Sequence, residues 1–109
     1  MTDDYYLVLC TCPDRPSADG LAESLVRERL AACVNILPGV ESVYRWEGNV
    51  ERGAELLLLI KTEKRAYAAL QEHIKGRHPY EVPEIIALPI AAGATDYLQW
   101  VSACLRFES

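Results

Sequence analysis

An α+β fold is what this chain of 109 residues predicts. Three observations carry that expectation. Strand-like apolar runs alternate with amphipathic helical stretches in the order β-α-β-β-α-β-α. A Gly48-Asn49 pair separates the second and third strand-like runs, where a tight hairpin makes neighbouring strands antiparallel. Half of the residues are hydrophobic and a quarter charged, the balance of a globular chain with one packed core.

The elements follow in order. Residues 5–12, "YYLVLCTC", are rich in aromatic and aliphatic residues and stop at Pro13, which predicts the first strand. "PDRPS" is a turn. Residues 17–33 predict a helix, with Leu21, Ala22, Leu25, Val26 and Leu30 on one face and Glu23, Arg27 and Glu28 on the other; Asp14 or Ser17 caps it. Residues 34–50 predict a long strand, broken at Pro38-Gly39 by a bulge or kink and ended by the hairpin at Gly48-Asn49. "AELLLLIKT", residues 54–62, returns as the third strand. Residues 63–76 predict the second helix, with Ala66, Tyr67, Leu70 and Ile74 inward and Gly76 as its stop. "VPEIIALPI", residues 83–91, predicts the fourth strand. Residues 95–106 predict a closing helix capped by Thr95 or Asp96.

The first six elements match the split βαβ arrangement, a ferredoxin-like βαββαβ sandwich with an antiparallel sheet and here an extra C-terminal helix. A flavodoxin-like parallel sheet also suits repeated β-α units. The tight hairpin favours the antiparallel choice. Residues 1–109 read as a single domain.

In such a sandwich the helices cover one face of the sheet, and the other face should alternate toward polar residues. "YLVLC", "LLLLI" and "IIAL" do not alternate. Both faces therefore need cover. The third helix can supply part of it, and a second subunit explains the rest. The long second strand also offers an edge for another chain. A homo-oligomer is expected.

The net charge of −5, 16 acidic against 11 basic residues, argues against a phosphate-binding nucleic-acid surface and against an anionic membrane. No apolar run is long enough to cross a bilayer. The start, "MTDDYYLVLC", has acids where a secretory signal has bases, so a cytoplasmic protein is expected. Cys10, Cys12, Cys33 and Cys104 are then expected as reduced thiols.

The chain shows no phosphate-binding glycine loop and no nucleophile elbow. A Cys10 or Cys33 pair with His78 lacks a visible third group to orient the base, so no enzyme is expected. Cys10 and Cys12 share one strand face. The split βαβ topology places the first and fourth strands side by side, which brings the end of the first strand to the "RHPYEVPEII" stretch at 77–86. Thiols and the His78 imidazole then meet at one edge, a donor set that suits copper or zinc rather than magnesium or calcium. With so few donors the site is open, weak, or completed by water or a second subunit. The bland alternative is that Pro79 fixes a turn and His78 is a polar surface residue. His73 stays outside the site. Trp46 and Trp100 suit packing or an interface. A cleft with Glu47, Lys61, Tyr80 and Glu84 competes with a plain surface network of charges.

The stretches "VLCTCPD", "LAACVNILPGVESVYRWEG", "LLLIKT", "HPYEVPEIIALPI" and "GATDYLQWV" run over nearly the whole chain, and in them the sequence closely resembles the CutA divalent-cation tolerance family. The resemblance implies a compact homotrimer of ferredoxin-like subunits, in which the long second and third strands pair between subunits. It implies a role in tolerance of and response to copper and other divalent cations. It also implies a metal site of Cys10 and His78, with copper as the ion. Arg77 stands where the family often has another histidine, and Cys12 where a small residue is common. Cys33 matches a usual family cysteine. A second reading, from the likeness to PII signalling proteins, is a regulatory module that senses a small ligand or a protein partner at inter-subunit clefts.

Overall fold

The computed structural model describes residues 4–106. Four strands form one antiparallel sheet in the order β2-β3-β1-β4, as the split βαβ arrangement requires. They are β1 (Tyr5–Cys12), β2 (Cys33–Trp46), β3 (Asn49–Glu63) and β4 (Ile86–Pro89). The helices are α1 (Arg15–Arg27), α2 (Tyr67–Arg77), entered through a 3-10 turn at Lys64–Ala66, and α3 (Thr95–Cys104).

Asp14 caps α1, its carboxylate accepting from the Ser17 amide at 2.8 Å. The helix stops at Arg27, six residues short of the expectation. Arg29 adopts a left-handed φ of 59°, and the amides of Leu30 and Ala31 turn back to the Leu25 carbonyl. That costly conformation is held from outside: the Arg29 guanidinium donates to the carbonyls of Ala103, Cys104 and Leu105 at the end of α3.

The hairpin turns one residue earlier than expected. Trp46 pairs with Asn49, and Glu47 and Gly48 take φ values of 50° and 83°, as a type I′ turn requires of both central residues. The break in β2 is a bulge. Pro38 and Gly39 are inserted between the Leu37–Leu57 and Val40–Glu55 pairs, and Gly39 has φ 83°. β3 starts at Asn49, not Ala54, because the polar segment "NVERG" is held by β2 alone. β1 reaches only as far as Leu56, so the two strands run on beyond it as a two-stranded arm.

β4 is shorter than the expected 83–91. Pro83 has no amide to give to a ladder, and only Ile86–Pro89 pair with β1. Gly76 does not end α2. The helix runs to Arg77, and His78 is forced to an extended ψ of 141° by the proline that follows it. At α3 neither Thr95 nor Asp96 caps; Ala94 holds the cap position and Asp96 lies in the first turn, favourable for the helix dipole. That helix ends at Cys104, not at 106.

The register sorts the side chains. Val8 and Cys10 of β1 lie beside Ile60 and Leu58 of β3, and pack with Leu21 and Leu25 of α1 and Leu70 and Ile74 of α2. The opposite face carries Leu7, Leu9, Leu57 and Leu59 with Ile86 and Leu88. There α3 covers one end. Ser102 bonds the Tyr5 hydroxyl at 2.7 Å and the Glu63 carboxylate, and Val101 and Leu105 are buried. The remainder of that face is bare in the single chain: Leu37, Ile86 and Leu88 are 40%, 49% and 44% exposed.

Candidate metal centre

The end of β1 and the end of α2 meet at one corner of the sheet. β1 ends its apolar alternation with Cys10 and Cys12, both fully buried on the helix-covered side. The extended backbone at His78 directs its ring back across the Thr11–Cys12 segment, where it is 8% exposed. The ligating atoms of Cys10, Cys12 and His78 lie within 4.8 Å of one another.

Each group is engaged. His78 Nε2–H donates to the Thr11 carbonyl at 2.7 Å and lies 3.9 Å from the Cys12 sulfur. His78 Nδ1 accepts from the Tyr80 amide at 3.1 Å. Tyr80 leans over the imidazole, with ring centroids 4.9 Å apart, and its hydroxyl donates to Glu55 at 2.8 Å. Burial, the Glu55 contact and nearby negative charge push the Tyr80 phenol up to about 12.

The two thiols hold their protons unequally. The Cys10 sulfur lies 3.9 Å from the Thr11 carbonyl, and its contact with the neighbouring Cys12 thiol raises Cys10 far above the ordinary thiol range, with burial adding to the rise. The same contact lowers Cys12. Of the two, Cys12 gives up its proton more readily.

Cys12, one of the two thiols that the sequence brings to this edge, sits within the cluster beside Cys10 and His78. The remaining candidates do not converge within one chain. Trp46 is 62% exposed at the tip of the β2–β3 arm, and Glu47 is in its turn. Lys61 lies about 40 Å of strand away from that turn, at twelve residues along β3, and its ammonium donates to Asn35. Tyr80 joins Glu55 rather than either of them. Glu84 is exposed and contributes negative charge near Cys10. Arg77 is exposed at the end of α2 and takes no part in the cluster. His73 is separate, its Nε2 2.8 Å from the Ser24 hydroxyl on α1.

The residues that sequence reasoning passed over are Thr11, whose contribution is a backbone carbonyl, and Glu55, which holds Tyr80. A carboxylate in the middle of a long hairpin gives no sequence signal of that role.

The family model for the CutA1 divalent ion tolerance protein matches residues 6–104. The chain belongs to the CutA1 family. It is 55% identical over 95 residues to the divalent-cation tolerance protein CutA of Thermus thermophilus, covering 87% of this chain and 92% of that protein. With the CutA of Pectobacterium atrosepticum the identity is 48% over 103 residues, 94% of each chain. The crystal structure of CutA1 from Oryza sativa superposes with a TM-score of 0.94 at 48% identity, covering 98% of both chains. The ferredoxin-like architecture expected from the resemblance is thus that of the CutA1 structures. No helix among the described residues is long and apolar enough to cross a membrane.

Proposed function

We propose that this CutA1-family chain acts as a homotrimeric, cytoplasmic copper-binding protein in the response to metal ions, with the Cys10–Cys12–His78 corner as the cation site. The observation that carries the reading is the convergence of two thiols and an imidazole within 4.8 Å in a buried corner. Sulfur and imidazole donors suit copper or zinc, and there is no carboxylate in the cluster to favour magnesium or calcium. The donors fit such an ion; they would hold it, and the ion would act as cargo or signal rather than as a catalyst.

The trimer is supported by the apolar face that α3 leaves bare and by the β2–β3 arm. A two-stranded arm is marginal by itself, and this one exposes Val43, Tyr44, Trp46 and Val50. The names of the relatives speak of divalent-cation tolerance, which agrees with a cation-binding role. A reducing compartment keeps the thiols available.

The test is metal content after equilibrium dialysis against copper under reducing conditions. The wild-type chain is expected to retain copper in proportion to chain concentration, and Cys10→Ser to lose it. Equal retention by both would remove the site. A small-molecule ligand that raises the melting temperature without metal would favour the regulatory reading instead.

A further inference from the structure

The His78 imidazole is already spoken for. Its bond to the Thr11 carbonyl puts the ring proton on Nε2, and its bond from the Tyr80 amide puts the lone pair on Nδ1. Nε2 is the nitrogen that faces the Cys12 sulfur. To ligate an ion there, Nε2 must give up its proton. Moved to Nδ1, that proton meets the Tyr80 N–H, donor against donor, and the Thr11 carbonyl loses its partner as well. A metal-bound histidine ordinarily donates from its second nitrogen to an acceptor. This one has a donor in that place. Tyr80 cannot swing away without releasing Glu55.

The thiols must also lose their protons, but doing so strips no backbone group of a strong hydrogen bond. Cys10 has only a 3.9 Å contact to the Thr11 carbonyl, beside its contact with Cys12. Two sulfurs within 4.8 Å of each other can sit on opposite sides of one ion, since two metal–sulfur bonds of about 2.3 Å span about 4.6 Å. Zinc wants four ligands, and cupric copper a tetragonal set rich in nitrogen and oxygen. A soft monovalent ion is satisfied by fewer.

We propose that this corner selects a soft, low-coordinate cation of the cuprous class, held by Cys10 and Cys12, with His78 as a positioning residue that keeps its Nε2–H on the Thr11 carbonyl beside the sulfurs rather than as a ligand. The proposal rests on the cation-site reading above and assigns its ion class and ligands. Two S–H bonds break, two S–Cu bonds form, both protons leave to solvent, and no electron is transferred. The resulting bis-thiolate carries one negative charge, and the His78 ring beside it keeps its N–H on the Thr11 carbonyl.

The experiment loads the full-length protein with Cu(I) or Zn(II) without oxygen and reads three signals. These are the His78 ring nitrogens by ¹⁵N NMR, exchange of the Tyr80 amide, and the copper coordination by X-ray absorption. Cu(I) is expected in a sulfur-only shell, with the Nε2–H signal and Tyr80 amide protection unchanged. Zn(II) is expected to bind weakly and only with that signal lost. Cys12→Ser abolishes Cu(I) binding, whereas His78→Gln weakens it by about 10–100-fold, as for an outer partner. A nitrogen ligand on Cu(I) with loss of the Nε2–H would overturn the proposal, and so would equal thermal stabilisation by the two ions. Wild-type spectra decide the ligand question even if Cys12→Ser fails to fold. Retention of neither ion by folded wild-type protein would instead remove the cation-site reading itself.

Discussion

The two faces of the sheet are built from the same residue types and end in opposite circumstances. On one face Val8, Cys10, Leu58 and Ile60 are wholly buried under α1 and α2. On the other, leucines of the same strands lie beside Ile86 and Leu88, which remain close to half exposed. One face is completed by the chain that carries it. The other has its apolar residues but lacks a cover, apart from the end that α3 reaches. The corner of Cys10, Cys12 and His78 belongs to the completed face, so its geometry is set within one chain.

That contrast can be broken most sharply on the completed side. Leu58→Ala removes a buried side chain from the centre of β3, between the two helices and β1. A loss of about 2–5 kcal/mol of unfolding free energy is expected, read by chemical denaturation. A loss of the size seen for surface substitutions, about 0.5 kcal/mol, would mean that this face is loosely packed.

On the bare side the expected effect is on assembly. Ile86→Glu places a carboxylate on a side chain already 49% exposed in the single chain. The subunit fold is expected to survive, with an unchanged far-ultraviolet spectrum. The sedimenting mass is expected to fall from that of the proposed trimer to that of a monomer. Retention of the trimer by Ile86→Glu would place the interface elsewhere.

What the sequence made legible follows the same division. Runs such as "YYLVLC" and "ELLLLI" mark strands through residue type alone, and the hairpin glycine marks their direction. Together they predict β1 beside β4, and with it Cys10 near His78. The features that escaped depend on distant backbone. Nothing within "RERLAAC" says that α1 ends at Arg27, because Arg29 is held by carbonyls of α3 up to 76 residues away. "NVERG" has no strand-like alternation and is extended only because β2 pairs with it. The imagined cleft of Glu47, Lys61, Tyr80 and Glu84 fails within one chain because a strand separates residues along its length. The state of His78 was hidden for a similar reason: its two partners are a carbonyl and an amide, which no side-chain pattern announces.

The smallest expected effect concerns the second histidine, which joins the two helices on the completed face. His73 is half-buried, with its ring against the Ser24 hydroxyl. Burial lowers its proton affinity below the ordinary value of 6.5, Arg77 and Arg106 lower it further, and Glu28 opposes them. The folded state thus prefers the neutral ring. As pH falls below the unfolded value, the unfolded chain binds the proton more readily, so stability is lost toward acid and recovered toward neutral pH. Denaturation midpoints taken from about pH 8 down to about pH 5.5 should fall more for the wild-type protein than for His73→Gln, which keeps a hydrogen-bonding group but does not titrate in that range. Parallel profiles for the two proteins would show that the α1–α2 contact is indifferent to charge on this ring. The packing of Leu21, Leu25, Leu70 and Ile74 would then account for the joint without it.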